Sequence, residues 1–305
     1  MRLGSKRYII TLVALLTLII AGIALASVWL TERFNLNGVE AFGVLLSLSG
    51  IGAVFIAGLV TAGTPVLRDI FASYQNLFKL DSLSHPLLLR LQKTAPGTYH
   101  HSLNVANLSY MAAKKIGANA TLARIGAYYH DIGKIKNPNF YTENQKDGQN
   151  PHQKLDPKDS AEIIIRHIID GIKLCRRYKL PDEIIDFIPE HSGTTLVYYF
   201  YDQAKKQTNS EVYKRDYRYP GPKPMSKETA IVMLADSVEA ATKSIKKLSP
   251  DKISDLVEKI IGQKQADRQL DLSGLSDTDL DKIKDVFTQL LGKINQRRIS
   301  YPKQK

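Results

Sequence analysis

Cysteine is almost missing from this 305-residue chain, where Cys175 stands alone. A disulfide framework within the chain and a multi-cysteine zinc or iron–sulfur site are thereby excluded. Acidic residues are the scarcer charge, 30 Asp and Glu against 42 Lys and Arg, which leaves a net charge of +12. Such a balance suits anionic partners, whether a membrane surface, a nucleic acid or a phosphate-bearing ligand, without choosing among them. Strings of interleaved aromatic and basic residues are absent, so nucleic acid is not the expected partner. No alternating strand pattern stands out beyond about residue 65, nor any internal repeat or low-complexity segment. With 44% hydrophobic and 24% charged residues the chain is neither disordered nor collagen-like, and its length allows one to three domains.

What is present at the N-terminus is apolar. Ile9 to Leu30 is interrupted only by Thr11, Thr17 and Ser27, and is preceded by Arg2, Lys6 and Arg7. A run of about 22 residues can cross a bilayer as a helix. A second run, Phe42 to Ala62, carries four glycines of the kind membrane helices tolerate at close packings. The positive-inside bias then puts both chain ends in the cytoplasm of a multi-pass cell-membrane protein. Ala24-Leu25-Ala26 offers a rival reading as a signal-peptidase site, but the apolar run is long for a signal and continues past it. The expected organisation is two transmembrane helices over 1–64, a juxtamembrane helical linker over 65–95, and a cytoplasmic domain over 96–305.

That domain reads as all-α. Helical periodicity covers His101–Ile116, stopped by Gly117, and Asn119 is a cap for a helix reaching His130. Further helices are expected over Ser160–Arg177, Asp182–Glu190, Val197–Lys206, Lys227–Ile245 and Ser276–Gln296. Lys136–Pro157 is polar and reads as a long, functional loop. Tyr217–Met225 holds three prolines, which exclude regular structure.

The chemistry lies in the histidines and two aspartates. His130-Asp131 is followed by Gly133-Lys134, and a borderline imidazole beside a hard carboxylate suits Mn, Fe or Zn. Further donors are His101, His167, His191 and Asp236, the last within the apolar stretch Ala230–Ala235, where an unpaired carboxylate is costly. Taken singly, each histidine is as readily a core or surface residue. His85 and His152 read as capping or surface residues, and His100 as facing away from His101. Tyr198, Tyr199 and Tyr201 read as packing, with base stacking the minority alternative. Cys175 reads as a packed thiol.

The order His101…His130-Asp131…His167…His191…Asp236 resembles the HD-domain metal-dependent phosphohydrolases. Longer strings, among them Pro96–Ser102, Ala127–Lys134, Glu143-Asn144-Gln145, Asn150-Pro151-His152, His191–Thr195, Arg218–Pro224 and Ala235–Ala240, resemble the PgpH-type membrane-anchored HD phosphodiesterases over about Pro65–Pro302. The resemblance implies an HD-domain helical bundle and a cytoplasmic-facing enzyme that hydrolyses cyclic di-AMP to pApA. It implies two divalent ions, Mn or Fe, that activate a hydroxide. His101, His130 and Asp236 would hold one ion, His167 and His191 the other, and Asp131 would bridge. Lys134 is expected at the phosphate, and Arg218 and Lys223 on a movable lid at the second phosphate, a lid whose basic side chains could equally be solvated. Another nucleotide substrate (cyclic di-GMP or an alarmone) and a non-catalytic nucleotide sensor are the alternatives, and homo-oligomerisation is left open. Two departures stand out. Family members carry seven spans and an outer domain where this chain has two apolar runs, so the chain reads as a fragment or a short natural form. Many members have a second histidine where Ser192 stands, which puts the second metal's ligation in question.

Overall fold

The structure is a computed structural model describing residues 3–44, parts of 46–61, 79–145, 149–208, 211–243 and 249–296. It divides into two units, Met1–Phe78 and Lys79–Lys305.

In the first unit, helix α1 runs over Leu3–Phe34, and its segment Thr17–Phe34 is long and apolar enough to cross a membrane. It does not bury that surface within the unit, since Leu18, Leu25 and Trp29 stand exposed. A reciprocal cap follows: the Asn37 Oδ1 accepts from the Val39 and Glu40 amides, and Glu40 accepts from the Asn37 amide. About half of the second expected span lies outside the described residues, and among those described there is a shorter apolar helix, Gly38–Leu48. Among the described residues the two expected spans thus reduce to one helix of sufficient length, and the first part of the expected linker, 65–78, lies outside them.

The second unit is helical. Helices α2 (Pro86–Thr94), α3 (Pro96–Ile116), α4 (Ala120–Tyr129), α5 (Pro157–Arg177), α6 (Asp182–Ile185), α7 (Phe187–Glu190), α8 (Tyr198–Gln207), α9 (Lys227–Lys243), α10 (Pro250–Ala266) and α11 (Asp277–Gln296) follow in order. Among the described residues the one extended pairing is an isolated antiparallel bridge between Leu196 and Arg218. The centre is α9. Thr229 to Ala235 are buried without a break, as expected of a helix that is apolar all round. Val105 and Leu108 of α3, Ala123 and Ala127 of α4, Ile253 and Val257 of α10, and Ile283 and Phe287 of α11 share its core. A smaller cluster joins Ala161 of α5 to Phe200, Tyr201 and Ala204 of α8 and to Tyr217.

Local chemistry sets the boundaries. Asn119 caps α4 by accepting from the Leu122 amide. Proline at the first position starts α3 and α5 earlier than hydrophobic periodicity alone suggests, since its missing N–H costs nothing there. The expected helix over Asp182–Glu190 is two short ones, split at Asp186. The long loop after His130 is a string of short 3-10 turns, at Ile132–Lys136, Pro138–Phe140, Thr142–Asn144 and Pro151–Lys154.

Candidate metal centre

Four helices and one turn aim their side chains at a single point. His101 comes from the second turn of α3, His130 and Asp131 from the break after α4, His167 from α5, His191 from the end of α7, and Asp236 from the middle of α9. All are buried except Asp236, whose side chain keeps 26% of its exposure. Gly133 makes this approach possible. A Cβ there would lie 1.9 Å from the His167 carbonyl oxygen, so only glycine lets the Asp131 turn pack against α5.

The donors form two sets sharing one carboxylate: His101, His130, Asp131 and Asp236, and Asp131, His167 and His191. The two oxygens of Asp131 divide between them. Its Oδ2 lies 3.2 Å from His130 Nε2 and 3.7 Å from His101 Nε2. Its Oδ1 lies 3.4 Å from His167 Nε2 and 3.7 Å from His191 Nε2. These separations are mostly too long for hydrogen bonds. They suit donors around a common ion, since bonds of about 2.1 Å space neighbouring donors roughly 3.0–3.4 Å apart.

The other ring nitrogens explain why Nε2 points inward. His130 Nδ1 meets the Ala127 carbonyl at 2.7 Å, His167 Nδ1 the Ile164 carbonyl at 2.6 Å, and His191 Nδ1 the Phe187 carbonyl at 3.2 Å. A carbonyl accepts only, so each ring carries its proton on Nδ1 and turns a lone pair to the centre. His101 Nδ1 is 2.6 Å from Glu239 Oε2, an equivalent anchor made by a carboxylate. Buried nitrogens His130 Nε2 and His167 Nε2 have no hydrogen-bond partner. Orphaned lone pairs of that kind, converging with carboxylates, fit a divalent cation.

Electrostatics agree with the geometry in part: burial lowers His101, but its hydrogen bonds to Asp236, 2.9 Å from its Nε2, and to Glu239 outweigh burial and raise it to about 9. Burial disfavours the charged form of Asp131, yet Lys134 and His130 outweigh it and hold the carboxyl well below its usual range. Burial likewise opposes ionisation of Asp236, and the hydrogen bond and charge of His101 overcome it. Burial, then the neighbouring His130, pushes His191 down to about 3, and burial lowers His167 despite the Asp131 charge. Both are therefore neutral, the form that binds metal.

Lys134 lies within the constellation: its Nζ is 2.6 Å from Asp131 Oδ2 and 2.9 Å from Glu143 Oε1. The Asp131 contact is a close charge pair, not an aligned hydrogen bond. A cavity of about 390 Å³ opens beside the first donor set, lined by His101, Lys134, Thr142, Glu143, Asp236, Ala240 and Lys243. Arg218 and Lys223 do not line it. The Arg218 guanidinium makes a two-pronged contact with Asp267, at 2.7 and 3.0 Å, and donates to the Thr194 carbonyl. Lys223 is half-buried on the same proline-rich loop and has no ion-pair partner among the described residues. Ser192 stands at the second set, its Oγ 3.0 Å from His191 Nε2.

Sequence reasoning left three contributors without a role. Glu239 lies three residues after Asp236, the spacing of one helix face, so a local signal existed. Lys243, four residues after Glu239 on the same helix, was equally legible, whereas Glu143 meets the site only through the fold. His85 does cap α2, accepting from the Leu87 amide, and His152 meets the Phe140 carbonyl at 2.9 Å. The expected packing of three tyrosines holds for Tyr201 alone. Tyr198 and Tyr199 are exposed, because the single buried face of α8 is taken by Phe200, Tyr201 and Ala204.

Comparison with known proteins follows the same residues. The model of a family described as the HD domain matches residues 98–241. The solved HD domain of the Listeria monocytogenes phosphodiesterase PgpH, in complex with cyclic di-AMP, is 43% identical, with a TM-score of 0.68 over 70% of this chain and 99% of that one. The chain belongs to the PgpH-type HD-domain family. The cyclic-di-AMP phosphodiesterase PgpH of Bacillus subtilis is 42% identical over 283 residues, 92% of this chain and 39% of the relative. That of Listeria monocytogenes is 42% identical over 260 residues, 85% of this chain and 36% of the relative. The chain thus spans under two fifths of the length of these curated relatives.

Proposed function

We propose that this chain is a metal-dependent phosphodiesterase that opens cyclic di-AMP to linear pApA. The observation that carries the reading is the division of Asp131 between two donor sets, each furnished with inward-facing Nε2 atoms. In this reading His101, His130, Asp131 and Asp236 hold one divalent ion, and Asp131, His167 and His191 the other. Manganese or iron fits a donor set of imidazole and carboxylate. Bound there, the pair of ions supplies a water acidified toward neutrality and positive charge for the phosphate oxygens.

The chain's own residues do the rest. Lys134 holds a desolvated ammonium at the junction of Asp131 and the cavity, where a phosphate oxygen would lie. Glu239 fixes the ring of His101 and keeps its Nε2 directed inward. Lys243, at the cavity rim and 2.9 Å from Glu239, adds a cation on the far wall. Arg218 acts through Asp267 as a brace for the Tyr217–Met225 loop, and Lys223 presents the loop's remaining charge to the second phosphate. The apolar helix anchors the catalytic unit to the cell membrane with that unit in the cytoplasm, a second span completing a multi-pass topology. The substrate class rests on the likeness to the cyclic-di-AMP-bound domain.

The test is direct. The full chain in detergent, loaded with Mn or Fe of measured stoichiometry, is given cyclic di-AMP and the products are separated by chromatography. Accumulation of pApA is expected. Bound metal with intact cyclic di-AMP would defeat the assignment, and faster turnover of cyclic di-GMP or an alarmone would reassign the substrate. Tight binding without turnover would leave a sensor.

A further inference from the structure

The short turn Thr142–Asn144 is clasped to the start of α3, 45 residues away in sequence. Thr98 Oγ1 donates to Glu143 Oε1 at 2.9 Å. The Thr98 amide donates to Asn144 Oδ1 at 3.2 Å, and Asn144 Nδ2 donates back to Thr98 Oγ1 at 2.8 Å. Gly97 is what lets the turn come so near. A Cβ there would stand 1.9 Å from the Glu143 carbonyl oxygen, a backbone atom that cannot give way. So the Glu143 carboxylate is held in place by α3, through Oε1, the same oxygen that meets its second partner. That partner is Lys134, whose ammonium is shared between Glu143 Oε1 and Asp131 Oδ2.

Asp131 Oδ2 is the same oxygen that faces His101 and His130. An ammonium seated on it competes with a cation for that lone pair. We infer that Glu143 is a positioning residue that competes with Asp131 for the Lys134 ammonium, so that the carboxylate can yield its oxygen to the first divalent ion while Lys134 stays beside the cavity. The inference rests on the proposed ligand roles but not on the identity of the substrate. It makes Glu143, which is no ligand itself, a determinant of metal affinity acting through Lys134.

The experiment is a double-mutant cycle on Mn affinity, measured by calorimetry on the full chain in detergent. Glu143→Gln should weaken binding roughly tenfold or more, in the range found when a group supporting a ligand is lost. Lys134→Met in that background should restore affinity to the native level or above it, while turnover stays low. A purely structural role for the turn predicts otherwise: the double variant would bind as weakly as Glu143→Gln alone, and that outcome overturns the inference. So does Glu143→Gln with unchanged affinity. Should Glu143→Gln fail to fold, as judged by its helical circular dichroism, Thr98→Val decides, since it loosens the clasp and keeps both charges. A loss of affinity in the same direction supports the inference, and none overturns it. If the cycle behaves as expected while cyclic di-AMP stays intact, the clasp stands and the substrate assignment falls.

Discussion

Asp131 sits where four imidazoles and an ammonium meet, and the pull of those neighbours exceeds the cost of burying its charge. Asp131→Asn keeps the volume but removes the charge from both donor sets. Metal content should fall for both sites and turnover should drop beyond the 10–100-fold typical of losing an outer partner. Atomic absorption and a pApA assay check this, and a variant that keeps its metals would argue against a shared carboxylate. Cys175 behaves in the opposite way. Fully buried, with no compensating cation, its thiol is pushed up to about 12 by burial. It should stay inert to a thiol reagent at pH 8 and react at the rate of unfolding. Rapid labelling of the folded protein would show that α5 opens. The role of Cys175 was legible in the sequence because a lone cysteine, with no second thiol for a disulfide or a thiolate metal site, has little else to do. The partners of Lys134 were half legible: Asp131 is three residues away, whereas Glu143 reaches it through a clasp that no local pattern encodes.

Among the elements, the turn after α4 and helix α5 are matched most closely. Gly133→Ala places a methyl group against backbone atoms of His167 and Gly171, which cannot rotate aside. It should cost about 3 kcal/mol, the upper end for overpacking, and separate the two donor sets. Urea unfolding and Mn titration measure the two effects. Leu234→Ala tests the central helix: this side chain is wholly buried in the main core, and its loss should cost about 3 kcal/mol without altering the ligands. The proline-rich loop calls for a different comparison. The Arg218–Asp267 pair is about one-third exposed on each side, so its strength is modest, at most about 1 kcal/mol. If Arg218 is a brace, Arg218→Ala and Asp267→Ala should raise KM alike. A much larger effect of Arg218→Ala alone would return the guanidinium to the phosphate. Helix positions were readable from periodicity and caps, as at Asn119 and Ser276, because those signals are local. Helix α10 was missed although Ser249-Pro250 carries a start signature, with Ser249 accepting from the Lys252 amide. The Arg218–Asp267 brace spans 49 residues and could not be read from spacing.

At the scale of the whole molecule, the division between Phe78 and Lys79 separates two kinds of surface. Before it, a 32-residue helix exposes leucine, valine and tryptophan, which water would not tolerate over such a length. After it, the apolar residues turn inward around α9, and Leu80 already belongs to the buried set. The Lys79 unit also closes its own edges: Asp81 pairs with Arg124 of α4, and Tyr129 donates to the Leu80 carbonyl at 3.3 Å. The second unit therefore carries what it needs to fold without the first. Residues 79–305 expressed alone should remain in the supernatant, show a cooperative thermal transition by circular dichroism, and bind Mn with the stoichiometry of the full chain. If the proposed apolar anchor rather than the net charge of +12 holds it, the full chain should sediment with membranes and resist extraction by high salt, yet yield to detergent. Release of the full chain by salt alone would make the basic surface the attachment and α1 a passenger. Aggregation of 79–305 would mean instead that this unit does not fold by itself.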